Sequence, residues 1–408
     1  MELNGLTEST LGEVCSLVTD GTHDTPTRVA SGYPLIKAKE ITGGRIDFET
    51  CDQISEEEHL EVIARSKPEF GDTLFAHIGA SLGEAAFVNT TREFSIKNVA
   101  LFKPNPAVID ARYLYYLVIS PVFQALAMGT RTGSAQPFLG LSQLRGHSIQ
   151  YHRDLATQRW IAGILSAYDE LMENSRRRIR ILEEMARALY REWFVHFRFP
   201  GHEKLPPVAS PLGDIPQGWE VKKLADVAEL NRAQINARNA PDELHYIDIS
   251  SVSPGQIETI TTYAFANAPG RARRIVQHGD VLWSCVRPNR RSHAQVMHPE
   301  PNTIASTGFA VLTAMKVPFT FLYFATTTDD FVAYLTNNAT GAAYPAVTAA
   351  IFEKAELLIP SAPLLKKFGE ATIPMAEQIH TLQRQVKSLH QTRDLLLPRL
   401  LSGAVSVQ

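Results

Sequence analysis

The sequence predicts an α+β protein in which two mixed α/β globular domains alternate with two long α-helices, and three observations predict it. The chain repeats itself at a shift of 208 residues: Gly71-Asp72-Thr73-Leu74-Phe75 matches Gly279-Asp280-Val281-Leu282-Trp283, and Tyr113-Leu114-Tyr115-Tyr116 matches Phe321-Leu322-Tyr323-Phe324. Thr132-Gly133-Ser134-Ala135-Gln136-Pro137 matches Thr340-Gly341-Ala342-Ala343-Tyr344-Pro345 at the same shift. So long a period marks a duplicated domain pair, not a solenoid. Within each half, short β-type runs give way at the same place to an apolar period of 3.5. A proline-rich stretch then separates the two halves.

Residues 1–153 form the first domain. Its runs Thr73 to Ile78 and Val99 to Phe102 are rich in β-branched and aromatic residues and are punctuated by Gly, Pro and Asn, and a helical stretch from Tyr113 to Met128 interrupts them. From 154 to 198 the heptad takes over, with Ile161, Leu165, Tyr168, Met172, Ser175, Ile179, Leu182, Ala186, Leu189 and Trp193 alternating steps of four and three. A helix from Ile161 to Trp193 is about 50 Å long. Residues 199–216, with Pro200, Pro206, Pro207, Pro211 and Pro216, read as a linker. The second domain occupies 217–361, where Leu224-Ala225-Asp226-Val227 resembles Leu11-Gly12-Glu13-Val14 at a shift of 213, the drift that loop insertions produce. Residues 362–403 repeat the heptad through Phe368, Thr372, Met375, Ile379, Leu382, Val386, Leu389, Arg393, Leu396 and Leu400. Pro374 is expected to kink or start this helix, and Ser175, Thr372 and Arg393 to weaken the seam locally. Two such helices in one chain are most economically paired with each other, and heptads alone fit either a parallel or an antiparallel pairing. Leu171, Ile181, Met185, Trp160 and Phe194 lie off the seam, where a partner or the protein's own domains would cover them.

Composition narrows the function. Of 408 residues, 44% are hydrophobic, enough for real cores. The 40 Lys and Arg against 43 Asp and Glu give a formal charge of −3, so a nucleic-acid site has to be a local patch. Cys15, Cys51 and Cys285 have no CxxC spacing and build neither a zinc cage nor a disulfide framework. No apolar run approaches the roughly 20 residues of a membrane span, and a cytoplasmic protein with no membrane partner is expected. Phosphate-loop, dinucleotide and HExxH motifs are absent, as is the [DN]PP[YFW] tetrad of adenine methylation. Gly79-Ala80-Ser81-Leu82-Gly83 fits the GxSxG nucleophile elbow, but Glu84 to Val88 reads as a strand where the elbow needs a helix, so a hairpin turn is the better reading. Glu377 and His380 have the spacing of half a di-iron motif, yet their heptad positions, f and b, point both to solvent. No metal site is expected.

The positive signal is local and basic. Arg271, Arg273, Arg274, Arg287, Arg290 and Arg291 face one acid, Asp280, between Arg271 and Arg291. Together with Asn289 they suit phosphate contacts and bidentate reading of guanine edges in a major groove. Weaker candidates are Thr22, His23, Thr25, Lys37 and Lys39 in the first half, and the polar loops of Arg131, Thr132, Ser134 and Gln136 and of Asn338, Thr340 and Tyr344. The stretch holding Arg65, Lys67, Glu69 and Asp72 lacks the arginine cluster, so the two domains are expected to read different sequences. Two similar domains held apart by a helical ruler suit two half-sites about one helical turn apart, roughly 34 Å.

These residues resemble a known family. Asp20-Gly21-Thr22-His23-x-Thr25-Pro26, the repeated Gly71-Asp72-x-Leu74 and Gly279-Asp280-x-Leu282, Ile215-Pro216-x-Gly218-Trp219-Glu220 before Leu224-x-Asp226-Val227, and the order domain, helix, domain, helix are similar to the specificity (S) subunit of type I restriction–modification systems. The resemblance spans nearly the whole chain. It implies two target-recognition domains on a split double-stranded DNA site, related by a pseudo-two-fold duplication, and an antiparallel intramolecular coiled coil. It also implies a non-catalytic role, docked to two methyltransferase (M) subunits and to restriction (R) subunits. S-adenosylmethionine, ATP and Mg would belong to those partners, with no cofactor on this chain. The first half has no counterpart of Trp219 and the second no DGTH loop, so contacts do not transfer between halves. Competing readings are a coiled-coil scaffold with protein-binding heads, a degenerate and inactive specificity subunit, and a hydrolase built on Ser81.

Overall fold

A computed structural model describes residues 5–131, 137–210 and 213–405. It divides into two compact units, Met1–Asn174 with Gln385–Gln408, and Ser175–Arg384.

In the first unit, Leu6–Thr10 pairs antiparallel with Ser148–His152 and so closes the domain on itself. One antiparallel sheet runs in the order Cys15–Asp20, Ala100–Pro104, Thr73–Phe75, Ala85–Phe87. A second runs Ser95–Lys97, Tyr33–Lys37, Asp52–Ile54, Arg28–Val29, its first two strands parallel. The predicted helical stretch is two helices, Ala111–Ile119 and Pro121–Thr130, because Ser120 caps the second with its hydroxyl and Pro121 occupies the first helical turn. Phe75, Phe102, Tyr113 and Phe123 are fully or almost fully buried between these helices and the first sheet. No single helix among the described residues is long and apolar enough to cross a membrane; of this bent pair, Ala111–Ile119 is buried from Tyr113 to Val118, whereas Pro121–Thr130 buries only Phe123 and Ala127. The Gly79 to Gly83 motif forms the turn between Thr73–Phe75 and Ala85–Phe87, as the sequence suggested.

The second unit repeats the first sheet strand for strand: Ala228–Leu230, Phe309–Ala314, Val281–Ser284, His293–Gln295. Its other sheet runs Thr261–Ala264, Glu243–Ile247, Thr303–Ser306, Ala272–Ile275. Three of these strands have counterparts in the first unit, including the parallel pair Glu243–Ile247 and Thr303–Ser306. Ala272–Ile275, which carries Arg273 and Arg274, is an addition at the opposite edge, where the first unit has the helix Glu56–Ile63 in the chain. Trp283, Phe321, Phe352 and Phe368 fill the core.

The first long helix spans Leu155–Tyr190 and ends in a wide turn, Arg191–Val195; the second spans Ala362–Leu401. Within the first unit, Ile161 and Leu165 share a core with Leu397 and Leu400, and Arg393 Nη1 donates to Asp169 Oδ1 at 2.7 Å. Within the second, Tyr190, Trp193 and Phe194 pack on Phe368, and Glu183 and Ala186 line one cavity with Ala376 and Ile379. The seam positions Tyr168, Met172, Ile179, Leu182, Leu189, Leu382, Val386, Leu389 and Leu396 are all buried or half-buried.

Four expectations change. The helix runs through Pro374, because Leu364, Leu365 and Phe368 anchor its first turns in the core and outweigh one lost backbone hydrogen bond. Arg393 and Thr372 do not leave gaps: Arg393 is paired with Asp169, and Thr372 bonds Thr320 Oγ1 at 2.7 Å. Phe194 is buried in the second unit's core, whereas Trp160, Leu171, Ile181 and Met185 are exposed. Residues 199–216 are no bare tether. Pro207–Ser210 pairs with Gly213–Pro216, and Phe199 and Ile215 are buried around Trp219, which packs edge-on to Phe197 at 5.4 Å.

Candidate nucleic-acid interface

The repeated Gly-Asp turns show how far the two halves diverge under one backbone. Gly71 and Gly279 have φ of +98° and +86°, a region where a side chain is strained. Each following aspartate accepts the backbone N–H three residues before it, Glu69 N at 2.7 Å for Asp72 and Gln277 N at 2.8 Å for Asp280. In the first unit the buried Asp72 is paired with Lys103 Nζ at 2.6 Å. In the second, the Thr313 hydroxyl donates to Asp280 at 2.7 Å, Asp280 has no ion-pair partner among the described residues, and burial pushes its carboxyl up to about 6.

In the first unit the DGTH loop lies across the edge of the second sheet. Gly21 N–H donates to Val99 O at 3.0 Å and Thr22 N–H to Ile96 O at 3.1 Å. A Cβ on Gly21 would sit 2.0 Å from Ile96 O, which is why glycine stands there. His23 is held between Asn98 Oδ1, at 2.8 Å from Nδ1, and Asp20 Oδ2, at 3.0 Å from Nε2. Arg65 also binds Asp20, and Lys97 donates to Thr25. Lys37 pairs with Asp52, which Arg28 reaches at 3.1 Å, and Lys39 with Glu40 at 3.1 Å. The structure therefore gathers Thr22, His23 and Thr25 into one surface, but its cations are largely neutralised by acids. Lys97, Arg65 and Asn98 also belong to this surface, and no local motif in the sequence marks them as contacts. Arg131 is exposed, with Nη1 3.7 Å from Met128 Sδ. Thr132, Ser134 and Gln136 lie outside the described residues.

The second unit divides its arginines by role. Arg274 is half-buried, its Nε without a hydrogen-bond partner among the described residues and its guanidinium pulled below the usual range by burial. Arg273 lies over the Phe265 ring at 5.5 Å and bonds Ala272 O at 2.7 Å. Arg271 faces Asp248 at 3.5 Å. Pro288–Arg290 forms a short 3-10 turn flanked by Arg287 and Arg291, both left-handed, with φ of +51° and +55°. Two non-glycine residues in that region within five positions mark a constrained turn. The loop after Asn338 provides the constraint, since Thr340 and Ala346 bond each other at 2.9 Å in both directions and Arg287 N–H donates to Pro345 O at 2.7 Å. Arg287 then lies 4.7 Å from the centroid of Tyr344, which is 70% exposed. Arg291 is paired with Asp329 at 2.5 Å, and Asn338 Nδ2 bonds Tyr334 O at 2.9 Å as a helix cap. Asn289 and Arg290 are exposed, and Arg290 has no acidic partner among the described residues. The two arginine clusters adjoin, because Cys285 N–H bonds Gly308 O and Thr307 N–H bonds Arg271 O, each at 2.8 Å. The candidate site is thus Arg287, Asn289 and Arg290 on a braced turn, with Tyr344 beside it. A cationic edge with an exposed ring can contact phosphates, base edges and base faces.

No family model matches the chain. The curated proteins it resembles over most of its length are specificity subunits of type I restriction enzymes. The specificity subunit of MjaIX from Methanocaldococcus jannaschii is 24% identical over 403 residues, covering 93% of this chain and 91% of that protein. That of HindI from Haemophilus influenzae is 21% identical, covering 86% of this chain and 90% of that protein. Among solved structures, the S subunit of a type I restriction-modification system from M. genitalium has the same fold, with a TM-score of 0.61 at 15% identity, covering 98% of this chain and 97% of that one.

Proposed function

We propose that this chain is the DNA sequence-specificity subunit of a type I restriction–modification complex, reading a bipartite double-stranded target with one domain per half-site. The observation that carries the reading is the braced turn of Arg287, Asn289 and Arg290 beside the exposed Tyr344. Duplication is supported by the paired strand orders and by two isolated bridges, Ile78 to Phe138 and Val286 to Ala346, which a shift of 208 residues superposes. An antiparallel coiled coil is supported within each unit, since partners on one long helix rise in number as those on the other fall. The second domain would take phosphates through Arg271 and Arg290 and a base through Arg287 or Arg290. The first, with its cations paired to acids, would read through neutral groups such as Thr22, Thr25 and Asn98. Different surfaces on a shared frame give an asymmetric target.

In this reading the chain does no chemistry, and methyltransferase subunits carrying S-adenosylmethionine and ATP-dependent restriction subunits dock on it in the cytoplasm. Trp160, Leu171, Ile181 and Met185, exposed on the first long helix, are candidate contacts. The test is the genome-wide N6-methyladenine pattern in cells expressing this chain with its neighbouring methyltransferase, against cells lacking this chain. A split motif that disappears without the chain is the expected result. Unchanged methylation by an active methyltransferase would overturn it in favour of a scaffold or an inactive subunit.

A further inference from the structure

The Glu-x-x-His pair of the second long helix does not face solvent alone. Glu377 is half-buried against two loops of the second unit: His298 Nε2 lies 2.7 Å from Glu377 Oε2 and 3.0 Å from Oε1, and His278 Nε2 lies 3.8 Å from Oε1. The two imidazoles are 4.3 Å apart between centroids, and His380, one turn along the helix, has its ring 5.5 Å from that of His298. These residues come from three separate places: the turn before Val281–Ser284, the loop after His293–Gln295, and the helix. Their heptad positions had predicted exposure, but a heptad describes only the helix partner and is blind to a globular domain lying on the flank.

We infer that His278, His298 and Glu377 form a binding site for a borderline divalent transition-metal ion of the Zn2+ or Ni2+ class. Three observations carry this. One donor atom from each residue lies within 4.8 Å of the others. Tetrahedral zinc with bonds near 2.0–2.1 Å needs donors about 3.3 Å apart, a closure that side-chain rotation supplies. Second, His298 has φ of +43°, a left-handed backbone that is strained for a non-glycine residue. That conformation aims its ring at Glu377. Third, the donor set of two imidazoles and one carboxylate selects against Mg2+ and Ca2+, which prefer all-oxygen shells, and in favour of Zn2+, Ni2+ or Cu2+. The backbone N–H of His298 donates to His278 Nδ1 at 3.3 Å, so His278 carries its proton on Nε2 when neutral. Metal at Nε2 requires the other tautomer and gives up that long, weak bond. Bound metal would clip both loops to the helix, with His380 as the neighbouring donor able to complete the shell.

The test uses the full, untagged chain, stripped with chelator and titrated with ZnCl2 and NiCl2 by calorimetry, beside His298→Gln, Glu377→Gln and, as a control, His196→Ala, an exposed histidine elsewhere. One saturable equivalent of Zn2+ per chain, weakened at least about tenfold in both site variants, is expected; even outer-shell partners of metal sites are worth 10–100-fold. His196→Ala should bind as the parent does, and MgCl2 should give no saturable heat. Circular dichroism of the metal-free variants verifies that they fold, and His278→Gln replaces any that does not. Absence of a stoichiometric Zn2+ site, or undiminished binding in the folded site variants, would overturn the inference.

Discussion

Arg393 Nη1 donates to Asp169 Oδ1 at 2.7 Å across 224 residues of chain, while the Tyr116 hydroxyl donates to the other oxygen of the same carboxylate at 2.6 Å. The arginine fork also holds Asp394 at 2.7 Å. An ion sits in a seam that otherwise wants an apolar side chain, and each of its charges is compensated.

Removing one partner should therefore cost more than removing both. Arg393→Ala is expected to lower stability by about 2–4 kcal/mol by stranding the half-buried Asp169. Arg393→Leu with Asp169→Leu should recover much of that loss. Urea denaturation of Arg393→Leu, Asp169→Leu and the double variant measures the coupling.

Asp280 makes stability fall as pH rises. Its folded carboxyl titrates near 6, above the unfolded value of about 3.9. The protonated form favours the fold, so its contribution is full below pH 4 and is lost between about pH 4 and 6, to the extent of about 2–3 kcal/mol. Asp280→Asn can keep the bonds to Gln277 N–H and Thr313 Oγ1 without a charge. The variant should match the parent near pH 4 and melt higher at pH 8 in thermal denaturation. Equal melting temperatures at pH 8 would remove the buried charge from the account.

Arg290→Ala should weaken DNA binding of the assembled complex by about 1–3 kcal/mol. A loss confined to one half-site sequence would mean that it reads a base; a uniform loss with a shallower salt dependence would mean phosphate. Tyr344→Ala releases the Arg287 guanidinium and should impair the same half-site. Unchanged affinity in both variants, measured by titration against duplexes altered in one half-site at a time, would take this turn out of the interface.

Gly21→Ala places a methyl group 2.0 Å from Ile96 O and must push the DGTH loop off the sheet edge. The expected cost is about 2–4 kcal/mol, at the upper end for single substitutions. Recognition of the other half-site should be impaired, and that of the first spared, in the same duplex assay.

What the sequence made legible is what short-range patterning encodes. Both long helices, the Gly-Asp turns and the strands around Thr73 and Val281 follow from periods of 3.5 and 2 and from glycine spacing, which are read within a few residues. Arg274 and Arg291 show the opposite. In the sequence they are two more cations of a cluster, whereas burial at a strand edge and an aspartate 38 residues away make them parts of the frame. The first domain's surface needed Asp20, Arg65 and Lys97 brought together by strand order, and Glu377 needed two loops some 80 to 100 residues upstream. At Pro374 the packing of Leu364, Leu365 and Phe368 overrides local propensity, and no short-range pattern encodes that packing.

The first unit is completed by the last two dozen residues of the chain, with His152 Nε2 3.1 Å from Leu400 O and Ile161 and Leu165 sharing a core with Leu397 and Leu400. On the ribosome this makes the N-terminal domain the one that waits. After Asn174 is made, about 210 residues must follow before the part of the second long helix that belongs to this unit begins at Gln385, roughly 10–40 s at ordinary elongation rates. For that interval an apolar face stands open while the second unit, continuous in sequence, is free to finish. A stop codon after Arg384 would accordingly leave the second domain folded and send the first, whose own codons are untouched, to aggregation or proteolysis.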